Sequence, residues 1–327
     1  MSDMYQVSSA PHARDKMSTQ KIMGIVCLAL CPSLLFGIFN FGFRALLVTV
    51  LTVASCVASE YVFNLIVKKP QTVNDLSAVV TGMILAMNMP VSIPLWEPML
   101  GGVFAMVIVK GLFGGLGQNF MNPALGARCF LLIAFAANMT NFTCDTYTGA
   151  TPLALIRNYG LEGLSSQAAD GVQSGYTVMD MFLGRTAGTI GETCVIALLV
   201  GAAIMLYFKV IDLSIPCAYI ATFAVFMFLF GGNHFDIAYT VAEICGGGLI
   251  FGAFFMATDY VTSPITPNGK ILFGVCCGLL TGLFRCFGAN AEGVSFAIIL
   301  SNILVPFLEN ITIPLAFGVE KPKKEAK

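Results

Sequence analysis

Charge is scarce in this chain. Asp, Glu, Lys and Arg together make up 11% of 327 residues, where a soluble domain carries about a quarter. Histidine occurs twice, at His12 and His234, both near the expected edges of apolar segments. A His-based metal site, a bis-histidine haem and a Ser-His-Asp triad are therefore all disfavoured. None of the eleven cysteines forms a Cys-x-x-Cys pair, which leaves neither a zinc ribbon nor a ferredoxin-type cluster any support. Most of them lie inside apolar runs and read as small buried packing residues. Net charge is −1, so no basic field argues for nucleic acid. Residues 1–21 contain neither the apolar core nor the small-residue cleavage site of a signal peptide, so the first apolar run is expected to stay in the protein.

Apolar residues are abundant instead. They make up 57% of the chain, and the mean hydropathy is +0.83. This combination belongs to polytopic membrane proteins, in which helices close their own backbone hydrogen bonds because lipid offers no partners. Apolar runs predict an all-α protein with helices near 22–43, 45–66, 76–90, 98–112, 123–139, 190–210, 214–231, 240–257, 271–287 and 293–315. The 76–90 run is short and leads into Asn-Met-Pro, so it is expected to be broken. Ten spans with a cytoplasmic N-terminus put all eleven lysines at cytoplasmic ends: Lys16, Lys21, Lys68, Lys69, Lys110, Lys209, Lys270, Lys321, Lys323, Lys324 and Lys327. The positive-inside rule then sets both termini in the cytoplasm and the 140–188 loop outside.

The chain also resembles itself. "GLFGGLGQN" at 111–119 matches "GLFRCFGAN" at 282–290 in five of nine positions, 171 residues apart, and Ala86 and Ala257 share that spacing. Five spans per copy would orient the halves oppositely, as an inverted repeat. The expected organisation is a cytoplasmic tail (1–21), a first five-helix repeat (22–139), an outward loop (140–188), a second five-helix repeat (189–315) and a cytoplasmic tail (316–327).

The outward loop carries "CDTYTGATPLA". Gly149 and Ala150 would let a large group approach the Thr151 hydroxyl. Pro152 suits the first turn of a helix, so "TPLALIRNYG" reads as a short helix with Thr151 as its N-cap. A phosphate there would meet the positive helix end. Locally, a plain capping threonine and a chemical tether are both open readings. Elsewhere, Glu60, Glu97, Arg128, Glu243, Asp259 and Arg285 are ionisable residues inside or beside apolar runs, where charge is costly and often functional. Arg128 could pair with a carboxylate or a cofactor phosphate. Asp259 with Thr262, Ser263 and Thr266 offers oxygen ligands for a hard cation. The Gly-rich 111–119 stretch lacks the spacing of a dinucleotide fingerprint. It reads either as tight helix packing or as the lining of a cofactor or ion path, with Asn119 and Asn122 as its polar groups.

Asp145-x-x-Thr148-Gly149-Ala150-Thr151 resembles the D-x-x-[S/T]-G-A-T flavinylation signature of the NqrB/RnfD family. That family holds the D component of the Rnf complex and the B component of the Na+-translocating NADH:quinone reductase. "GLFGGLGQNFMNPALGAR" (111–128), "FMATDYVTSPITPNGK" (255–270) and "AEGVSFAIILSN" (291–302) are similar to further stretches of that family. The likeness runs from about Ser9 to Glu309, with Tyr260 where the family often has proline. The short N-terminal tail and Pro152 look more like the Rnf branch. The resemblance implies FMN joined to Thr151 by a phosphoester that a flavin transferase makes on the outer face. It also implies a second, non-covalent riboflavin among the helices, and Rnf subunits A, B, C, E and G as partners in a prokaryotic inner membrane. The implied function is electron carriage between ferredoxin and NAD+, coupled to Na+ or H+ movement, with Asp259 and Glu60 as candidate ion-pathway residues. Reduction adds negative charge that a low-dielectric interior strongly favours neutralising with a cation. A quinone-reductase component, and a non-redox channel or transporter built on an inverted repeat, are the alternative readings.

Overall fold

The computed structural model describes residues 17–142, 151–160, 176–232, 235–288 and 292–314. Asp145, Thr148, Gly149 and Ala150 of the signature, both histidines, residues 1–16 and residues 315–327 lie outside the described residues. Described regular structure is helical throughout. In chain order the helices are α1 (Thr19–Phe41), α2 (Phe43–Val67), α3 (Ser77–Met87), α4 (Trp96–Val103), α5 (Pro123–Ala134), α6 (Ala136–Met139), α7 (Pro152–Tyr159), α8 (Val178–Leu183), α9 (Val195–Tyr207), α10 (Ser214–Phe230), α11 (Ile237–Cys245), α12 (Leu249–Phe251), α13 (Pro267–Phe287) and α14 (Val294–Thr312). Helix α4 continues as a π-helical stretch, Phe104–Gly111, and α12 as another, Gly252–Met256.

Not every predicted run makes a full span. Among the described residues, α1, α2, α13 and α14 are long and apolar enough to cross a bilayer alone. The run predicted as one helix over 240–257 is two, α11 and the α12 segment, bent by 65°. The cause is Gly246-Gly247-Gly248, where Gly247 adopts φ +65°, a conformation side chains resist. Helices α3, α5, α9 and α10 are shorter apolar helices. The run predicted over 123–139 breaks at Phe135 into α5 and α6. Among the described residues of the 140–188 loop, expected to hold one short helix, there are two, α7 and α8. Thr177 and Asp180 form a reciprocal capping box on α8, and the Thr177 hydroxyl and amide hold the Asp180 carboxyl below its ordinary range.

Helix starts repeat at the 171-residue spacing seen in the sequence: Phe43 and Ser214, Trp96 and Pro267, Pro123 and Val294. The packing repeats too, with α2 against α4 and α10 against α13. Where helices break, protein backbone fills the gap. Past the end of α3, the Met87 and Met89 carbonyls accept from the Gly191 and Ile190 amides at 2.8 and 3.1 Å. The Ser33 hydroxyl of α1 donates to the Gly191 carbonyl at 2.7 Å. Irregular backbone at this depth persists only because such partners replace water.

Helices α1 and α9 approach closely through Gly201, whose added Cβ would overlap the Ala29 carbonyl oxygen and meet the Phe255 ring. With lipid on the outside, such small-residue contacts supply much of the packing. Gly201→Val is expected to lower the thermal unfolding midpoint in detergent, at an overpacking cost of about 1–3 kcal/mol or more. Gly24→Ala, whose nearest neighbour would be Leu76 Cδ1 at 3.9 Å, should leave the midpoint unchanged.

Candidate functional site

Thr151 caps α7 as its sequence predicts. Its hydroxyl accepts from the Ala154 amide at 3.3 Å, Pro152 opens the helix, and Gly160 closes it. Thr151 is partly exposed and stands at the rim of an open recess of about 350 Å³, whose walls include Met181, Thr186, Glu192, Gly247 and Glu292. Gly247 is needed here. A Cβ on it would stand 3.0 Å from Leu153 Cδ2 and 3.2 Å from Arg285 Nη2, so a larger residue would push α7 away.

Beneath this recess lies a buried ionic cluster. Arg128 Nη1 donates to Asn88 Oδ1 at 2.8 Å, Ser295 Oγ at 2.9 Å and Glu192 Oε1 at 3.3 Å, and Nη2 donates to Glu292. The guanidinium is thus engaged by protein carboxylates, the first of the two pairings its sequence position suggested. Glu192 and Glu292 are functional candidates that sequence reasoning missed. Each is a lone acid beside a glycine at the start of an apolar run, a pattern that ordinarily reads as an exposed helix-start acid. A second buried pair adjoins it. Arg285 Nη1 donates to Glu243 Oε2 at 2.9 Å and to the Glu243 carbonyl, while Nη2 donates to the Gly246 carbonyl at 2.9 Å. Glu97, also buried, accepts from Asn138.

The other predicted residues gather elsewhere. Asn119, Asn122, Asp259 and Lys110 line one cavity of about 780 Å³, together with Ser77 and Thr81 of α3. Asn122 also caps α5, accepting from the Ala124 amide at 3.0 Å, and the Asn119 amide group donates to the Met121 carbonyl at 3.0 Å. Asp259 accepts from Thr262 Oγ1 at 3.3 Å and from the Val261 amide at 3.4 Å. Thr266 does not join it. Its hydroxyl caps α13 and hydrogen-bonds Thr312 at 2.8 Å, because a residue that starts a helix has its oxygen claimed by the first turn. Glu60 is salt-bridged to Lys110 at 2.7 Å and accepts from Thr72 at 2.8 Å. Lys110, expected at a cytoplasmic end, is buried there, and its ammonium also donates to Ser77 at 2.8 Å.

Thr193, just before the start of α9, belongs to the Thr151 recess, and Met205, near the end of α9, to the asparagine-lined cavity. The two sites are therefore separated by most of the length of this helix, about 15 Å. Val210 shares the second cavity with Lys110, and Lys270 pairs with Asp212 at 2.6 Å. The lysine-bearing loops thus gather at the end of the molecule away from Thr151. No group of three or more His, Cys, Asp or Glu side chains suited to a metal occurs among the described residues.

The chain is 43% identical over 327 residues, covering 98% of both proteins, to the D subunit of the Na+-translocating ferredoxin:NAD+ oxidoreductase complex of Acetobacterium woodii. It is 38% identical, again with 98% of both covered, to the D subunit of the proton-translocating ferredoxin:NAD+ oxidoreductase complex of Clostridium ljungdahlii. It is 34% identical, over 93% of both, to the D subunit of the ion-translocating oxidoreductase complex of Stutzerimonas stutzeri. The sequence profile described as NQR2, RnfD, RnfE matches residues 6–318. With nearly the whole length matched and the polytopic helical fold in place, this chain belongs to the NQR2, RnfD, RnfE family.

Proposed function

We propose that this chain is the D-type membrane subunit of an ion-translocating ferredoxin:NAD+ oxidoreductase, and that Thr151 is where it holds covalent FMN. The relatives' names support the first statement. One observation carries the second: Thr151 sits at a helix N-terminus, partly exposed, on an open recess, at the end opposite the lysine-bearing loops. The residues fit a tethered phosphoester. Phosphate is favoured at the positive end of α7, Pro152 takes up no acceptor of its own, and the Gly247 backbone leaves the rim open. FMN, when bound, would supply one- and two-electron chemistry at this point. The chain's own residues hold the tether, shape the recess and set the local charge. The lysine pattern supports an outward-facing Thr151 loop and cytoplasmic termini in a bacterial inner membrane. Rnf subunits A, B, C, E and G, and a flavin transferase for maturation, are the partners this reading requires.

The cavity lined by Asn119 and Asn122 is the seat we assign to a non-covalent riboflavin. Its paired amides suit a heterocycle with donor and acceptor edges. Asp259 on the same cavity, and Glu60 through Lys110, are the candidate ion-pathway residues. The matching helix starts support two five-helix repeats, 22–139 and 189–315.

The primary test is mass spectrometry of the Thr151 peptide from cells with a competent flavin transferase. FMN on Thr151 is the expected result. A bare threonine would leave the channel-like reading in its place. The products of neighbouring genes separate an Rnf complex from a quinone reductase. For coupling, Asp259→Asn in the assembled complex is expected to lower ions moved per electron, measured as Na+ or H+ uptake by proteoliposomes. An unchanged ratio excludes Asp259 as an essential ion site.

A further inference from the structure

Arg285 heads a polar ladder down one face of α13. Thr281 and Cys277 precede it at intervals of four residues, which stacks the three side chains on that face. The Thr281 hydroxyl donates to the Cys277 carbonyl at 2.8 Å, so the Tyr219 hydroxyl of α10 donates to Thr281 Oγ1 at 2.6 Å. Ser301 of α14 stands beside Cys277. Tyr219, Thr281, Cys277 and Ser301 are all fully buried. The ladder descends about 12 Å from Arg285 to Cys277 at 1.5 Å per residue, deep into a hydrocarbon layer about 30 Å thick. Next to Ser301 comes Asn302, 3% exposed. Neither its Oδ1 nor its Nδ2 has a hydrogen-bond partner among the described residues, and the Ser301 hydroxyl has none either. Val294 and Ile298 set α14 against Gly252 of the π-helical stretch, and Asn302 continues that face one turn beyond Ile298.

We infer that Ser301 and Asn302 bind ordered water at the foot of this ladder. A buried side chain with no partner for its donor or its acceptor is rare unless water or a ligand completes it, and lipid supplies neither. Glu60, Glu97, Arg128 and Arg285 each lack a partner at one atom, with the rest of the group engaged; Asn302 lacks one at both polar atoms. Its occupant must accept from Nδ2 and donate to Oδ1. A cation would satisfy the oxygen alone and would face the positive edge of the amide group. It would also lack a counter-charge. The elements packed against α14, namely α5, α13 and the π-helical stretch, carry no carboxylate. The one acid on α14 itself, Glu309, lies two turns away and accepts from the Ile265 amide at 3.2 Å. Water is the smallest species that both donates and accepts, and the Ser301 hydroxyl supplies a third group of the kind internal waters use. The inference is independent of Thr151 and needs no flavin.

X-ray hydroxyl-radical footprinting of the full-length chain in lipid nanodiscs tests this, because radicals formed from held water oxidise the sulfur beside it. Cys277 is the reporter. Met87, equally buried in the apolar core, is the dry control, and both rates are normalised to the denatured chain. Cys277 is expected to oxidise several-fold faster than Met87. Asn302→Leu, which removes both polar atoms, should bring the Cys277 rate down to that of Met87. Ser301→Ala, a smaller change, should lower it in the same direction and serves if the leucine variant fails to fold. A maleimide, too bulky for the site, should leave Cys277 unmodified in the same samples. Wild-type Cys277 oxidised no faster than Met87 would show a dry site and overturn the inference. Maleimide labelling of Cys277 would also overturn it, since that marks open solvent rather than held water. An unchanged Cys277 rate in the folded variants would take the water away from Ser301 and Asn302, with the same consequence.

Discussion

Thr151→Val is expected to remove all covalently bound flavin while leaving the fold in place. The fluorescent band of the denatured subunit under ultraviolet light should vanish, and the assembled complex should lose electron transfer from ferredoxin to NAD+. Valine keeps the β-branched shape and deletes only the hydroxyl. Structurally, that hydroxyl makes one capping bond to the Ala154 amide at 3.3 Å, and losing a cap costs about 1 kcal/mol. Helix α7 is further held by the buried side chains of Leu153, Leu155 and Ile156. The structural loss is thus a small fraction of a typical stability of about 5–15 kcal/mol, whereas the chemical loss is complete because no ester can form. This asymmetry makes the variant diagnostic. A normally assembled, non-fluorescent variant supports the tether. A band that survives the substitution places the covalent flavin on another residue and dissolves the link between the Thr151 recess and electron transfer.

How much of this was legible in the sequence follows from the range of each interaction. The cap at Thr151 is local, since a β-region threonine, a proline and an amphipathic turn lie within eight residues, and the sequence pattern alone predicts it. The helical, polytopic character follows from composition, because few charges and long apolar runs allow little else. The break after α3 was visible in Asn-Met-Pro. The break at Gly246-Gly247-Gly248 was not, because glycine is common in membrane helices and only the approach of Leu153 and Arg285 makes the kink obligatory. Asp259 and Thr262 are three residues apart and meet as expected, but Thr266 is diverted to a helix start and to Thr312, a partner 46 residues away. The acids that engage Arg128 lie 64 and 164 residues from it. No spacing rule reaches that far, so an arginine in an apolar run announced a need for acids without saying which.

Arg128→Met should strongly destabilise the subunit. The three charged side chains of the cluster join the end of α3 through Asn88, the segment before α9 through Glu192, and the start of α14 through Glu292 and Ser295. These are the segments that close the floor under the Thr151 recess. Removing the guanidinium leaves two carboxylates facing each other without a cation, and breaking a buried pair by removing one partner costs about 3–5 kcal/mol. Lysine is not expected to rescue it. One ammonium cannot reach four acceptors spread around a planar fork. Neutralising the acids as well should help. Arg128→Met combined with Glu192→Gln and Glu292→Gln removes the uncompensated charge and is expected to recover most of the lost stability, since well-matched neutral replacements of buried ion clusters are often tolerated. Size-exclusion profiles and thermal unfolding in detergent of the single, lysine and triple variants decide the matter. A single variant as stable as wild type would mean that the cluster does not clamp these segments together.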